Sequence, residues 1–203
     1  MLTTRPELYG LVLAGGQSLR MGRDKGLLVY EQLSPLAQRV RAARLLESCG
    51  LTTYLSCRTE ILEFHEVNEL KVIYDQPEFA EDNHRGPGIG ILSAHLFNPK
   101  AAWLVLACDF PFADKAAIEY LIHQRQAEGR ATAYQHNDET TEPLFTIWEP
   151  ETLAEFLRFY QDGYQSPRRT LEKENVFLVK PNHAKILVNI NSPVEAQHFS
   201  EFQ

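Results

Sequence analysis

The fold of this chain is decided by Leu11-Val12-Leu13-Ala14-Gly15-Gly16, a short apolar run that ends in two adjacent glycines. A continuous apolar run of this length is typical of a strand that is buried on both faces of a sheet. Paired glycines favour a tight backbone loop directly after it. Because ligands of parallel sheets bind where the strands end, the stretch predicts a buried strand that leads straight into a binding loop.

The segment 13–25 carries the strongest functional signal of the chain. It combines three glycines with three cations, Arg20, Arg23 and Lys25. Glycines let backbone N–H groups approach a phosphate closely, and arginine and lysine supply positive charge beside it. The spacing matches neither the P-loop nor the dinucleotide fingerprint, so neither an ATPase nor a dehydrogenase is indicated. The pattern favours a loop that binds nucleotide phosphates; a glycine-rich turn with solvated cations is the alternative.

Length and composition narrow the class of protein. The 203 residues predict a single domain over 1–203, and the 44% hydrophobic and 23% charged fractions are those of a globular chain. A net charge of -7 argues against a nucleic-acid partner and against an anionic membrane surface. The three cysteines lack C-x-x-C spacing, and the apolar N-terminal run is too short to span a membrane. Both observations favour a reduced, cytoplasmic setting.

Strands and helices alternate along the chain. Further strands are predicted at 52–57, 70–74, 103–107 and 144–148. Helices are predicted to begin at Ser34-Pro35, with Gly50 as a stop, at 89–96, at Asp114 with an end at Gly129, at Pro150, at Ser166-Pro167 and at Ser192, which forms a capping box with Glu195. This alternation predicts an α/β domain on a mostly parallel sheet. Asp75 and Asp109 each follow a predicted strand and therefore fall at the ligand-binding edge.

Four segments, in a fixed order, carry a family resemblance. After the loop 13–25 come the Gly-Pro-Gly-Ile-Gly stretch at 86–90, Cys108-Asp109-Phe110-Pro111, and Asn189-Ile190-Asn191-Ser192-Pro193. The set resembles the molybdenum cofactor guanylyltransferases, whose corresponding motifs are Gly-Pro-Leu-x-Gly, an Asp-x-Pro metal site and an Asn-x-Asn-Thr-Pro ending. The resemblance spans most of the chain. It implies a three-layer, Rossmann-like and mostly parallel sheet of the nucleotide-diphospho-sugar transferase type.

The resemblance also implies a reaction, the transfer of GMP from GTP to molybdopterin with release of pyrophosphate. A phosphate nucleophile is already ionised at neutral pH, so the chemistry needs no general base but must bring two polyanions together. The resemblance makes Lys25, Asp109 and Arg20 the catalytic residues, with Asp109 as the ligand of Mg²⁺. The residue types agree with this, because a carboxylate placed after an apolar strand is costly unless a positive group meets it.

Binding residues follow from the same resemblance. For GTP it implies Leu13, Ala14, Gly15, Gly16, Lys25, Asp75 and Asp109. For molybdopterin it implies Gly22, Gly86, Gly90, Arg168, Arg169, Asn189 and Asn191. Paired arginines suit bidentate binding of a phosphate, although an exposed first helical turn explains Arg168 and Arg169 equally well. Asp75 is likewise explained by a residue that caps a turn at a strand end.

The resemblance also predicts which nucleotide base the loop binds. Guanylyl-transferring relatives carry Leu-Ala-Gly-Gly as this chain does, whereas cytidylyl-transferring relatives tend to carry Leu-Ala-Ala-Gly, so Gly16 favours GTP. The chain departs from the family before Pro35, where Gln32-Leu33-Ser34 replaces a Gly-Lys pair and removes a cation.

Expected partners are GTP, molybdopterin and, transiently, molybdoenzymes or other cofactor-biosynthesis proteins. The alternatives are a cytidylyl- or sugar-phosphate nucleotidyltransferase of the same fold, and a non-catalytic carrier that binds nucleotide or cofactor.

Overall fold

The computed structural model describes residues 5–14, 25–30, 34–58, 70–79, 86–126, 130–174 and 176–190. Its strands are Leu8–Leu13 (β1), Thr53–Cys57 (β2), Lys71–Tyr74 (β3), Ala102–Ala107 (β4), Ala131–Gln135 (β5), Thr141–Trp148 (β6) and Phe177–Val179 (β7). Its helices are Gln38–Ser48 (α1), Pro87–Phe97 (α2), Lys115–Gln124 (α3), Pro150–Gln161 (α4) and Pro167–Lys173 (α5). None of the helices in these ranges is long and apolar enough to cross a membrane.

The seven strands form one sheet in the order β3-β2-β1-β4-β6-β5-β7. Strands β1 to β4 are parallel, β6 runs antiparallel to both β4 and β5, and β7 is parallel to β5. All strands except β6 therefore end at the same side of the sheet, which we call the carboxyl edge. The prediction of an α/β domain with a mostly parallel sheet is confirmed, and β6 supplies the reversed strand.

Helices cover both faces of the sheet. Leu46 of α1 approaches β1 at Gly10, whereas α2 approaches β1 at Leu13. Positions 10 and 13 point to opposite faces, because side chains alternate along a strand. Strand β4 is buried along its whole length, as expected for a strand with a layer of helices on each side. The predicted three-layer arrangement is therefore confirmed.

The predicted start of the first helix is wrong. Helix α1 begins at Gln38 and not at Pro35, and Ser34 does not cap it. The Ser34 hydroxyl instead accepts a hydrogen bond from the N–H of Leu36 at 3.2 Å, while an antiparallel bridge joins Ala37 to Val29. This tertiary bridge keeps the chain out of the helix. Gly50 does end α1 as predicted, with a φ of +82°.

The predicted end of the third helix, at Gly129, is also wrong, because α3 ends at Gln124. The next residue, Arg125, turns inward to a buried ion pair with Glu149, with an Nε–Oε1 distance of 2.6 Å. The Arg125 guanidinium also donates to the carbonyl of Pro6 at 3.0 Å. A buried arginine needs such partners, and they lie off the helix axis. Asp114 and Ser166 act as N-caps of α3 and α5 as predicted, and the capping box at Ser192 and Glu195 lies outside the described residues.

Gly90 allows α2 to lie close to β1 and β2. A Cβ atom at this position would lie 2.3 Å from the Ser56 hydroxyl oxygen and 2.9 Å from a Leu13 methyl carbon. Both distances are shorter than a Cβ atom tolerates. A Cβ atom at Gly86, one turn earlier, would meet no atom of the described residues within 4 Å. Gly90 is therefore required for packing at the point where β1 ends.

We expect Gly90→Ala to lower the free energy of unfolding by about 1–3 kcal/mol, because the added methyl group must displace Ser56 and Leu13. Gly86→Ala is the matched control and should leave that free energy within about 0.5 kcal/mol of the wild type. Urea unfolding followed by circular dichroism measures both. Equal stability of the two variants would contradict the packing assigned to Gly90.

Candidate active site

The carboxyl edge brings the end of β1 and the end of β4 together. The two strands pair in parallel register, with Leu13 opposite Ala107, and the N–H of Cys108 donates to the carbonyl of Leu13 at 3.3 Å. On the other side of β1, the N–H of Ala14 donates to the carbonyl of Ser56 at 3.1 Å. Leu13 and Ala14, which begin the predicted nucleotide loop, therefore lie directly beside the turn that carries Asp109.

Asp109 and Asn189 meet at this edge through a backbone contact. The N–H of Ile190 donates to the carbonyl of Asp109 at 3.2 Å, so Asn189 lies next to the Asp109 turn. The Asn189 side-chain oxygen is buried, and no group among the described residues donates a hydrogen bond to it. A buried oxygen left in this way destabilises the protein unless a ligand meets it. The structure thus joins two residues that the sequence predicted for different ligands.

The oxygen donors at this point fit a magnesium ion. Mg²⁺ takes one or two carboxylates and fills its other positions with phosphate oxygens and water. Within the described residues, no group of three or more His, Cys, Asp and Glu side chains could hold a metal ion, so a site made only of such side chains is not present there. The Asp109 carboxylate and the Asn189 side-chain oxygen are hard oxygen donors of the kind that Mg²⁺ prefers.

Asp75 lies at the carboxyl edge on the far side of β1 from Asp109. It follows β3, and its N–H donates to the carbonyl of Cys57 at 3.1 Å. Burial raises the pKa of the Asp75 carboxyl above its ordinary value, while the Arg58 guanidinium and the Ser56 hydroxyl favour the ionised form and oppose that rise in part. Ser56 thus links Asp75 to the end of β1, since its carbonyl accepts from Ala14.

The start of α2 lies beside the start of α5. A Cβ atom at Gly88 would lie 3.4 Å from the carbonyl oxygen of Gln165, which directly precedes the N-cap of α5. Gly86, Arg168 and Arg169 are exposed at these two helix starts. Gly90 differs from them, because its side-chain position faces Ser56 and Leu13 in the interior. Packing therefore accounts for Gly90, whereas Gly86, Arg168 and Arg169 remain open to a ligand.

The rest of the predicted site is described only in part. For Lys25 the structure gives the main chain, which forms the short 3-10 turn Lys25–Leu27. Gly15, Gly16, Arg20, Gly22 and Asn191 lie outside the described residues.

The sequence analysis missed a polar pair at the same edge. The Nε2 atom of His136, which follows β5, lies 2.8 Å from a carboxylate oxygen of Glu142 at the start of β6. The second oxygen of Glu142 accepts from the N–H of Leu144 at 2.8 Å, and the Lys180 ammonium donates to the carbonyl of His136 at 3.4 Å. The sequence offered only one indication of this pair, the polar turn between positions 136 and 142. Because β5 was not predicted, nothing placed His136 at a strand end.

We expect Asp75→Asn to raise the melting temperature at pH 7. Burial raises the pKa of Asp75 in the folded protein above the ordinary value of 3.8, which the unfolded chain keeps. Between these two pKa values the folded protein binds more protons than the unfolded chain. The free energy of unfolding therefore falls as the pH rises through this range. The substitution removes the charge that causes this fall, so its effect should shrink as the pH approaches 3.8.

Asp138→Asn is a control of opposite sign for this effect. The pKa of Asp138 is lowered, chiefly by hydrogen bonds from the side chain and backbone of Thr140. Its ionised form is therefore favoured in the folded state, and the substitution should lower the melting temperature at pH 7 or leave it unchanged. Thermal unfolding at several pH values measures both variants. A lower melting temperature of Asp75→Asn at pH 7 would contradict the assignment.

Comparison with known proteins identifies the family. Residues 10–177 match the MobA-like NTP transferase domain. The chain is 33% identical, over 192 residues, to a probable molybdenum cofactor guanylyltransferase of Nostoc, with 92% of this chain and 87% of that protein covered. It is 34% identical to a molybdenum cofactor biosynthesis bifunctional protein of Synechocystis over 92% of its own length, and it spans about half, 52%, of that longer protein.

A solved structure agrees in fold. Molybdopterin-guanine dinucleotide biosynthesis protein A from Archaeoglobus fulgidus is similar with a TM-score of 0.73 and 22% identity, over 95% of this chain and 97% of that one. The predicted fold and the predicted family are both confirmed. The chain belongs to the MobA-like NTP transferase family.

Proposed function

We propose that this protein transfers GMP from GTP to molybdopterin and releases pyrophosphate, forming the guanine dinucleotide form of the cofactor. One observation carries the proposal: Asp109, at the end of β4, lies beside the end of β1, where the predicted nucleotide loop begins. Relatives named molybdenum cofactor guanylyltransferase support it, since one is 30% identical over 97% of this chain and the whole of its own length.

The nucleotide is assigned to the two sides of β1. The loop that starts at Leu13 and Ala14, with Gly15 and Gly16, would bind GTP through its backbone, and Lys25 and Arg20 would supply positive charge to the triphosphate. Two strands, β2 and β1, lie between the strand that Asp75 follows and the strand that Asp109 follows, so we assign Asp75 to the guanosine part and not to the phosphates. Asp75 has the acceptor oxygens that a guanine or ribose donor group requires.

The residues that would hold Mg²⁺ are Asp109 and, beside it, Asn189. When bound there, Mg²⁺ would neutralise negative charge on the phosphates of the nucleotide. The protein contributes a fixed position of the two segments that carry Asp109 and Asn189, since the N–H of Ile190 donates to the carbonyl of Asp109. This fixed position is what lets them act without reorganisation during the reaction.

The chain needs no proton acceptor for this reaction, because the molybdopterin phosphate is already ionised at neutral pH. Its task is to hold two anions close to each other and in line. Arg168, Arg169 and Gly86 lie exposed at the helix starts of the carboxyl edge, and we assign them to molybdopterin, together with Gly22 and Asn191. Gly90 acts in this arrangement by packing. We also place the protein in the cytoplasm, in line with its three cysteines that lack C-x-x-C spacing. Transient contact with molybdoenzymes is part of the same proposal.

Calorimetric titration with GTP and CTP, each with and without Mg²⁺, tests the proposal. We expect the wild type to bind GTP more tightly than CTP and to gain affinity for GTP when Mg²⁺ is present. Asp109→Asn should remove that gain and reduce GMP transfer to molybdopterin by a factor on the order of 10² or more, because a ligand of the metal is lost.

Asp114→Asn is the matched control. Asp114 lies on the same loop as Asp109 but caps α3, accepting the N–H of Ala117 at 2.7 Å, and asparagine caps helices equally well. This variant should keep wild-type binding and transfer. A preference for CTP would assign the protein to cytidylyl transfer, and GTP binding without transfer to molybdopterin would favour a carrier.

A further inference from the structure

A small apolar cluster, which we call the loop cluster, lies apart from the main core. It consists of Tyr30, Phe112 and Ile190, which are 8%, 8% and 2% exposed, with Leu28 and Val188 packed against them. None of these side chains belongs to a strand or to one of the helices α1 to α5. The cluster therefore packs connecting segments against one another and does not pack the sheet against its helices.

Each of the three buried residues of the loop cluster follows, in the sequence, a residue of the proposed site. Tyr30 comes shortly after Lys25, Phe112 shortly after Asp109, and Ile190 directly after Asn189. These three segments are far apart in sequence. The loop cluster is thus the place where the segment 25–30, the turn at Asp109 and the segment at Asn189 meet.

Polar contacts fix the loop cluster to the rest of the molecule. The N–H of Ile190 donates to the carbonyl of Asp109 at 3.2 Å, and the N–H of Gln38 donates to the carbonyl of Leu28 at 2.8 Å. The Arg41 guanidinium donates to the carbonyl of Ala113, the residue after Phe112, at 2.6 Å. Two of the three segments are therefore tied to α1, which itself packs on the sheet.

A cation lies over one of the two aromatic rings of the cluster. The Lys185 ammonium lies 4.6 Å from the centre of the Phe112 ring, within the range of a cation–π contact. Lys185 belongs to the short turn Ala184–Leu187, which leads into Asn189. This contact adds a second link between the Asp109 turn and the Asn189 segment.

We propose that Phe112, Ile190 and Tyr30 are positioning residues that set the separation between Asp109 and the segment 25–30, which includes Lys25, and thereby how much Mg²⁺ increases the affinity for GTP. This inference rests on the proposed function. A metal ion that bridges protein and nucleotide requires its protein ligand at a fixed distance from the nucleotide phosphates, and a displacement of about 1 Å costs orders of magnitude. Connecting segments reach such accuracy only when their own side chains are packed.

Substitution of Ile190, paired with the same substitution of Ile118, tests the proposal. Ile118 is fully buried in α3 within the main core. Ile190→Ala and Ile118→Ala should both lower the melting temperature, because each removes buried methyl groups. In calorimetry without Mg²⁺, both should bind GTP as the wild type does. With Mg²⁺, Ile118→Ala should keep the wild-type gain in GTP affinity, whereas Ile190→Ala should lose on the order of tenfold of it.

A milder pair of substitutions, to valine, keeps the test valid if an alanine variant does not fold. Ile190→Val should restore most of the Mg²⁺-dependent gain, and Ile118→Val should keep all of it. If Ile190→Ala and Ile190→Val retain the full gain while their melting temperatures fall, the loop cluster is merely structural and the inference is overturned. If the wild type itself shows no Mg²⁺-dependent gain, the proposed function fails, and the inference fails with it. The two failures are thus distinguished by the wild-type titration.

Discussion

The pairing of β1 with β4 is the constraint on which the site depends. The two strands run parallel and in register from Leu8 opposite Ala102 to Leu13 opposite Ala107, and helices cover both of their faces. A shift of register by one residue would turn buried side chains to the opposite face, which the packing on both faces resists. Leu13 and Ala14 therefore lie beside the turn at Asp109, so a ligand bound at either place lies close to the other.

Around this pair, the carboxyl edge keeps polar groups in positions that are unfavourable without a ligand. Burial opposes the charge of Asp75, and the buried side-chain oxygen of Asn189 receives no hydrogen bond from the part of the chain that the structure describes. Ser56 shows how closely these groups are packed. Its carbonyl accepts a hydrogen bond from the N–H of Ala14, and a Cβ atom at Gly90 would clash with its hydroxyl. Departures of this kind from the most stable arrangement concentrate at functional sites, where a ligand compensates for them.

The sequence predicted the parts of this arrangement that local pattern determines. Strands β1 and β4 contain apolar runs, and β2 and β3 are rich in β-branched and aromatic residues, so they could be found. Asp75 and Asp109 were correctly placed at strand ends. Strand β5 was missed because Ala131–Gln135 has little apolar pattern and a bulge at 133–134 interrupts its pairing with β6, and β7 is only three residues long. The start of α1 was wrong because the Val29–Ala37 bridge overrides the local cap signal at Ser34. No spacing in the chain shows that Ile190 would bond to Asp109, since that contact depends on the tertiary fold.

The central claim is that the ends of β1 and β4 form one site for a metal–nucleotide complex. A crystal structure of the protein with GTP and Mn²⁺ in place of Mg²⁺ tests it directly, because the anomalous signal of Mn²⁺ locates the ion independently of the nucleotide. We expect one strong peak at coordination distance from the Asp109 carboxylate, with the triphosphate over the loop that follows Leu13. A Mn²⁺ peak away from Asp109, or a nucleotide bound elsewhere than at the carboxyl edge, would contradict the account.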